Sequence, residues 1–317
     1  MTVVEHIKNA KKPYFSFEIL PPLKGSNINF IYDIIDSLIE FKPPFVNITY
    51  HREEVVYKKH KTGLLERRKV HKRPGTVAIS AAIKYKYQID VVPHIICGGF
   101  SKEETENALI DLHFLGINNL LVLRGDPLKF EKTFTPECDG HNYAIDLVRQ
   151  IVNLNKGIYL DDEMLNLTST NFSIGVAGYP EKHIEAPNMQ FDIKYLQQKI
   201  EAGAEYIITQ LFYDNQKYYD FVKLCHEAGI DVPIIPGIKP LSTLAHLRTL
   251  PQTFNIDLPN DLVREVEKCK TNAEAREVGV EWAIHQSRDL IKQGVPGVHY
   301  FTMGKADNIR KIAESIF

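Results

Sequence analysis

Short runs of apolar and β-branched residues alternate along this chain with longer segments whose apolar positions recur at helical spacing. Eight of the runs read as strands: "YFSFEIL", "FVNITY", "VVPHIIC", "NLLVLRG", "FSIGVAGY", "YIITQLFY", "VPIIPGI" and "GVHYFTM". They are continuous rather than alternating, as expected when both faces of a parallel sheet are buried. Between them lie amphipathic segments. In "SKEETENALIDLHFLG", Ser101 and Glu104 form a capping box and Gly116 stops the helix. "DIKYLQQKIEAG" and "NQKYYDFVKLCHEAG" end on glycine in the same manner. Eight strands, each followed by a helix, predict an α/β fold of the (β/α)8 TIM-barrel type, one domain over residues 1–317. The polar stretch "NLNKGIYLDDEMLNLTSTN" is an inserted loop or hairpin before strand five. The segment from "TFNIDLPNDL" to "RDLIKQG" is long enough for an extra helix before strand eight. A doubly wound sheet is the structural alternative, but no G-x-G-x-x-G follows any strand, and "CGGFS" lacks that spacing.

Composition narrows the class. A net charge of −2 leaves no basic footprint for nucleic acid. The dense basic run "YKKHKTGLLERRKVHKRPG" reads as one solvated helix face. Cys97, Cys138, Cys225 and Cys269 are scattered, and no pair has C-x-x-C spacing, which favours a reduced, cytoplasmic setting. The N-terminal "MTVVEHIKNAKKPY" lacks a signal-peptide core. No stretch approaches the roughly 20 apolar residues that cross a bilayer.

In such a barrel the chemistry gathers where strands run out into their following loops. Strand one ends with Glu18, inside "FSFEILPP". A carboxylate beside a core is costly unless it is paired or kept protonated. Glu18 therefore sits on a solvated face, in an internal ion pair, or at the mouth of a site that uses it. Strand two ends with Thr49 and Tyr50, strand three carries His94, and strand four ends "RGD" with Arg124 and Asp126. Strand five runs into "GYPEKHIEA" with Tyr179, Glu181 and His183. Strand six carries Gln210, and strand eight carries His299, Tyr300 and Thr302. Singly, each has a plain alternative. His94 reads equally as a core histidine, Arg124 and Asp126 as partners across a turn, Gln210 as a backbone ligand, and Tyr179 as turn packing. The signal is their placement on one rim. No H-x-x-x-H, H-E-x-x-H or G-x-S-x-G pattern occurs, so no metal site is expected. A polar mouth with carboxylates Glu18 and Asp126 suits a large heteroaromatic ligand and acid–base assistance.

The phrases "FSFEILPP", "PHIICGGFSKEE", "LVLRGD", "GVAGYPEKHIEA", "AGAEYIITQLFYD", "IIPGIKP" and "HYFTMGK" stand in this order, from Phe15 to about residue 310. In them the chain resembles the methylenetetrahydrofolate reductases, flavoprotein (β/α)8 barrels. The resemblance implies FAD at the barrel mouth, reduced by NADH or NADPH, which of the two being left open. It implies hydride transfer in ping-pong fashion to 5,10-methylenetetrahydrofolate, giving 5-methyltetrahydrofolate for methionine synthesis. Carried over by motif, Glu18 is the family's acid, and Asp126 the aspartate near the flavin's pyrimidine end. Gln210 is the pterin-binding glutamine. The implied FAD positions are Thr49, His94, Leu123, Arg124, Gly125, Asp126, Tyr143, Ala144, Tyr179, His183, Asp192 and Lys199. Arg124 and Lys199 would face phosphate, and Tyr179 and Tyr300 would offer aromatic surfaces, Tyr300 toward substrate. Two positions depart from some relatives. Lys305 replaces an arginine that contacts substrate, and Leu250 replaces a stacking phenylalanine. The chain stops at Phe317, so no S-adenosylmethionine-binding domain and no such inhibition are expected. A homo-oligomer is implied as well. The rival functions are another flavin-dependent barrel oxidoreductase, resembling proline dehydrogenase, and a non-catalytic folate- or flavin-binding subunit.

Overall fold

All eight predicted strands form, and every pairing among them is parallel. The computed structural model describes residues 1–128, 131, 133–165 and 167–317. In chain order its strands are β1 (Tyr14–Ile19), β2 (Phe45–Ile48), β3 (Glu54–Lys59), β4 (Leu65–Val70), β5 (Asp90–Ile96) and β6 (Asn119–Leu123). They continue as β7 (Ser173–Gly178), β8 (Tyr206–Thr209), β9 (Ile234–Ile235), β10 (Gly237–Ile238) and β11 (Gly297–Phe301). The seventh predicted strand is split into β9 and β10 at Pro236, which has no N–H to give to a ladder. Its first half pairs with β8 and its second with β11, and β11 pairs with β1. The ring of eight therefore closes.

Residues alternate between two cores. Phe15, Phe17 and Ile19 of β1 face the helices, as do Val46, Val122, Val176 and Val298. Tyr14, Phe45, Val92, Leu121, Tyr206, Ile208 and Ile235 fill the lower interior of the barrel. Val3 joins that interior cluster from a short N-terminal helix, Val3–Asn9. This helix is fixed in place by the Val3 amide, which donates to Asn119 Oδ1 at 2.8 Å, and by His6, 2.8 Å from Asp90. It acts as the floor.

The insertion before the fifth barrel strand is a loop, with no helix or strand among the described residues of 158–172. The Leu160 amide ties it to Glu106 at 3.0 Å. The extra helix before the last crossover is present as Asn260–Glu267, and a further one, His246–Phe254, precedes it. Both pack in a third cluster with Leu211, Tyr213 and Leu241. Leu250 is buried there.

The basic run is not a helix. It forms the antiparallel β3–β4 hairpin. The turn is closed by the His60 amide on Leu64 O and the Gly63 amide on His60 O, with Gly63 at φ +85°. The reason is local: "EVVY" is a β-branched and aromatic start, and "KTG" gives the positive φ that a tight reversal needs. Among the described residues no helix is long and apolar enough to cross a membrane.

Gly175 on β7 makes room for the Tyr206 ring: a Cβ there would lie 2.2 Å from it. The Tyr206 hydroxyl is itself fixed on Leu120 O at 2.8 Å, so the ring cannot swing away cheaply. Gly175→Ala is expected to destabilise the barrel by about 1–3 kcal/mol, the usual range for overpacking. Urea denaturation measures this, and an unchanged midpoint would show that the floor is loosely packed.

Candidate active site

The alternation that sends Phe17 and Ile19 outward sends Glu18 inward, at the upper end of β1. The end of this strand is held by the Thr302 hydroxyl, which donates to Glu18 O at 2.7 Å. The Glu18 side chain is only 13% exposed, and among the described residues the basic group that pairs with it is His94, with Nε2 at 3.6 Å. Burial holds that imidazole neutral by pushing it down to about 3. The Glu18 carboxyl is pushed up to about 7 by burial, with the Thr49 hydroxyl acting in smaller measure the other way. Neither the solvated face nor the internal ion pair describes it. Glu18 is a buried acid whose protonation changes near neutral pH.

A polar layer lies level with Glu18 and just beneath it. Asn47 Nδ2 donates to His94 Nε2 at 3.4 Å. Ser16 Oγ and His299 Nδ1 hydrogen-bond at 3.0 Å. Burial, with His94 next to it, also pushes His299 down to about 3. Asn47 Oδ1 and His299 Nε2 are buried and have no partner among the described residues. The layer is thus neutral and under-satisfied.

On the opposite side, the loops after β6 and β7 bring several predicted positions together. Arg124 lies over the Phe134 ring, 5.0 Å from its centroid. It is held in a two-pronged ion pair with Glu185, at 2.6 and 2.7 Å. Sequence reading missed Glu185, although it stands in "HIEA" beside His183. The ring of Tyr179 meets that of His183 edge-on at 4.8 Å. Asp126 is near enough to influence both Tyr179 and His51. The Asp192 carboxylate accepts from the His183 amide at 2.8 Å, and burial raises its pKa. Lys199 Nζ donates to Ala177 O at 3.1 Å, and burial pushes the ammonium down to about 8. Gly125 takes φ +85° at the turn, while Leu123 O receives the Cys97 amide at 3.2 Å. Tyr143 and Ala144 begin the helix after this loop, Tyr143 exposed.

Gln210 follows β8, its side-chain oxygen turned back onto the Leu211 amide at 2.9 Å. Lys305 is exposed on the loop after β11. Tyr300 is a correction. It is fully buried on the helix side of β11, its hydroxyl donating to Ser287 Oγ at 2.8 Å and its ring against Phe15. Substrate at the mouth has no path to it. With His299 facing inward, the period of two sends Tyr300 outward and Phe301 inward. Phe301 is the half-buried aromatic of this strand that does reach the mouth, edge-on to His299 at 5.5 Å. Strict alternation from His299 would have identified it.

The raised Glu18 carboxyl has a consequence for stability. Folded, it holds its proton more tightly than the unfolded chain, so its contribution is fully present below 4.5 and lost as pH rises through 7. Glutamine does not titrate. Glu18→Gln is therefore expected to gain on wild type by roughly 3 kcal/mol between about pH 4 and about pH 8. Paired denaturation curves across that window measure the gain. A constant difference would mean that Glu18 titrates normally.

The comparisons with known proteins agree with one another. The family model described as methylenetetrahydrofolate reductase matches residues 3–316. Methylenetetrahydrofolate reductase 2 of Saccharomyces cerevisiae is 32% identical over 94% of this chain and 46% of its own. The 5,10-methylenetetrahydrofolate reductase of Salmonella typhimurium is 30% identical over 92% of this chain and 86% of its own. The chain thus spans about half the length of the eukaryotic relatives it matches. A solved structure from Clostridium thermocellum, an uncharacterized protein that binds two copies of 5-methyl-5,6,7,8-tetrahydrofolic acid, superposes with a TM-score of 0.58. At 15% identity, covering 98% of this chain and 96% of its own, it supports the fold alone. With a family model matched from end to end and a bacterial relative at 30% identity, the chain belongs to the methylenetetrahydrofolate reductase family.

Proposed function

We propose that this chain reduces 5,10-methylenetetrahydrofolate to 5-methyltetrahydrofolate, taking hydride from NADH or NADPH through FAD held at the barrel mouth. The observation that carries the reading is the Glu18 carboxyl, raised to about 7 by burial and paired with no permanent cation among the described residues.

The residues present fit a flavin. Buried and unpartnered Asn47 Oδ1 and His299 Nε2 suit the polar edge of a heteroaromatic ring system. Among the described residues Lys199 donates to one carbonyl, that of Ala177, and would gain a diphosphate partner. Arg124 would share its guanidinium between Glu185 and phosphate. In this reading Thr49, His94, Leu123, Gly125, Asp126, Tyr143, Ala144, Tyr179, His183 and Asp192 complete the cofactor's surroundings. When bound, the flavin supplies a hydride carrier common to both substrates.

The chain's own acid does the rest. The five-membered ring of the folate must open before its methylene carbon accepts hydride, and ring opening needs a proton on the departing nitrogen. Glu18, protonated in roughly half of the molecules near neutral pH, delivers it and is restored from solvent. The neutral imidazoles of His94 and His299 leave that proton on the carboxyl, because a fixed cation there would lower its pKa. Gln210 and Asp126 orient the pterin through its amide-like edge.

Glu18→Gln is expected to separate the half-reactions. Bleaching of the flavin by NADH or NADPH should persist within about tenfold, while folate reduction falls by roughly 10²–10⁴-fold, the usual cost of a lost general acid. Anaerobic single-turnover kinetics of each half-reaction decide it. Equal slowing of both would make Glu18 a structural residue, and a preparation that no nucleotide bleaches would end the proposal. Lys199→Met is expected to release most of the flavin on dialysis, read as the ratio of flavin to protein absorbance. Full retention would remove Lys199 from the phosphate site.

A further inference from the structure

Lys239, immediately after β10, is a lysine only 7% exposed. Among the described residues it has no ion pair and no hydrogen bond. Ile235 faces the barrel interior and Ile238 faces the helices, so alternation turns Lys239 inward. Register fixes its height. Ile238 is level with Tyr300, and Tyr300 with Phe17. Lys239, Phe301 and Glu18 therefore stand side by side on three adjacent strands, the Lys239 and Glu18 backbones about 10 Å apart across the sheet.

The loops around Lys239 are built to meet a ligand. His246 Nδ1 accepts from the Ser242 amide at 3.1 Å. Burial and the Lys239 charge keep that imidazole neutral, pushed down to about 4. Asn308 Nδ2, in the helix Asp307–Ile316 that follows the β11 loop, donates to Ser242 Oγ at 3.2 Å. The β11 loop turns through Met303 at φ +49° and Gly304 at φ +80° and carries the exposed Lys305. The helix His246–Phe254 begins here without a side-chain cap. In (β/α)8 barrels, the loops after strands seven and eight and the start of a short extra helix form a recurrent oxyanion site. An unpaired buried charge is costly on its own. An arriving anion offsets that cost.

We propose that Lys239, with the loops after β10 and β11, forms an anion subsite that takes a phosphate or carboxylate group of the substrate visiting Glu18. This rests on the function proposed above. Arg124 and Lys199 stand on the β6–β7 side of the mouth, where the cofactor's phosphates are assigned. Lys239 stands on a separate wall, across the ring from β5. The mouth thus has two cationic walls, the second for the partner that comes and goes.

The test uses flavin-loaded protein, with inorganic phosphate and glutarate as probes at fixed ionic strength. In wild type, one probe should raise the melting temperature, and Lys239→Met should abolish that rise while Lys239→Arg retains part of it. Methionine matches lysine in length and removes a buried charge, so the variant itself should melt no lower than wild type. In the separate half-reactions, Lys239→Met should raise the half-saturating concentration of one visiting substrate by about 10–100-fold, leaving the other and the flavin content unchanged. A phosphate response joined to weaker NADH or NADPH use identifies the nucleotide as the source of the anion. A glutarate response joined to weaker folate use identifies the folate. No probe response in wild type, or an equal response in Lys239→Met, overturns the subsite. Loss of flavin from Lys239→Met places the anion on the cofactor and overturns it equally. The melting shifts need no turnover, so they still test Lys239 if the proposed reaction itself is absent.

Discussion

A carboxyl group on the inner face of a barrel strand, walled by neutral polar groups, is the interaction around which this mouth is arranged. Among the described residues no cation pairs with Glu18 to offset the cost of ionising it there, so the proton stays until near neutral pH. Replacing either nearby imidazole by a permanent charge would pull the carboxyl down toward its ordinary range. His94 and His299 are useful because burial keeps them uncharged. They supply hydrogen-bonding capacity without supplying charge.

The barrel below makes this placement possible. Its floor is closed by a helix carrying Val3 and filled by Tyr14, Phe45 and Tyr206. The dry lower half fixes the strands, and the polar layer of Ser16, Asn47, His94 and His299 sits on it. Arg124 and Lys199 are held toward the outer rim, where Arg124 is balanced by Glu185 and Lys199 lies near Asp192. Moving Glu18 outward by one residue would bury it against the helices. The site depends on depth as much as on residue identity.

The sequence made the eight strands, their parallel pairing and most of the rim legible, because continuous apolar runs and glycine-stopped helices are local signals. Three features were not. The basic hairpin β3–β4 was hidden by its charge density, which conceals a β-branched start and a glycine turn. Glu185 could not be paired with Arg124, since 61 residues separate them and only the fold brings the loops after β6 and β7 together. The N-terminal floor helix is too short to show a periodicity of its own.

Tyr300 and Phe301 show where a stricter rule would have served. A tyrosine in an apolar strand looks like a ring offered to a ligand, but a strand has only two faces. Glu18 and Phe301 are direct register partners on β1 and β11. If Glu18 faces inward, then so does Phe301, and Tyr300 must face the helices, where it meets Phe15 and Ser287. The same step from Ile238 to Lys239 turns a lysine that composition alone would assign to the surface into the buried cation of the mouth. Gly237 belongs to this constraint too. A Cβ there would lie 2.7 Å from the Phe301 ring, so the backbone of β10 gives way for that ring to stand between Lys239 and Glu18. Three adjacent strands thus present an ammonium, an aromatic face and a carboxylic acid at one level, and alternation and register together are what hold them there.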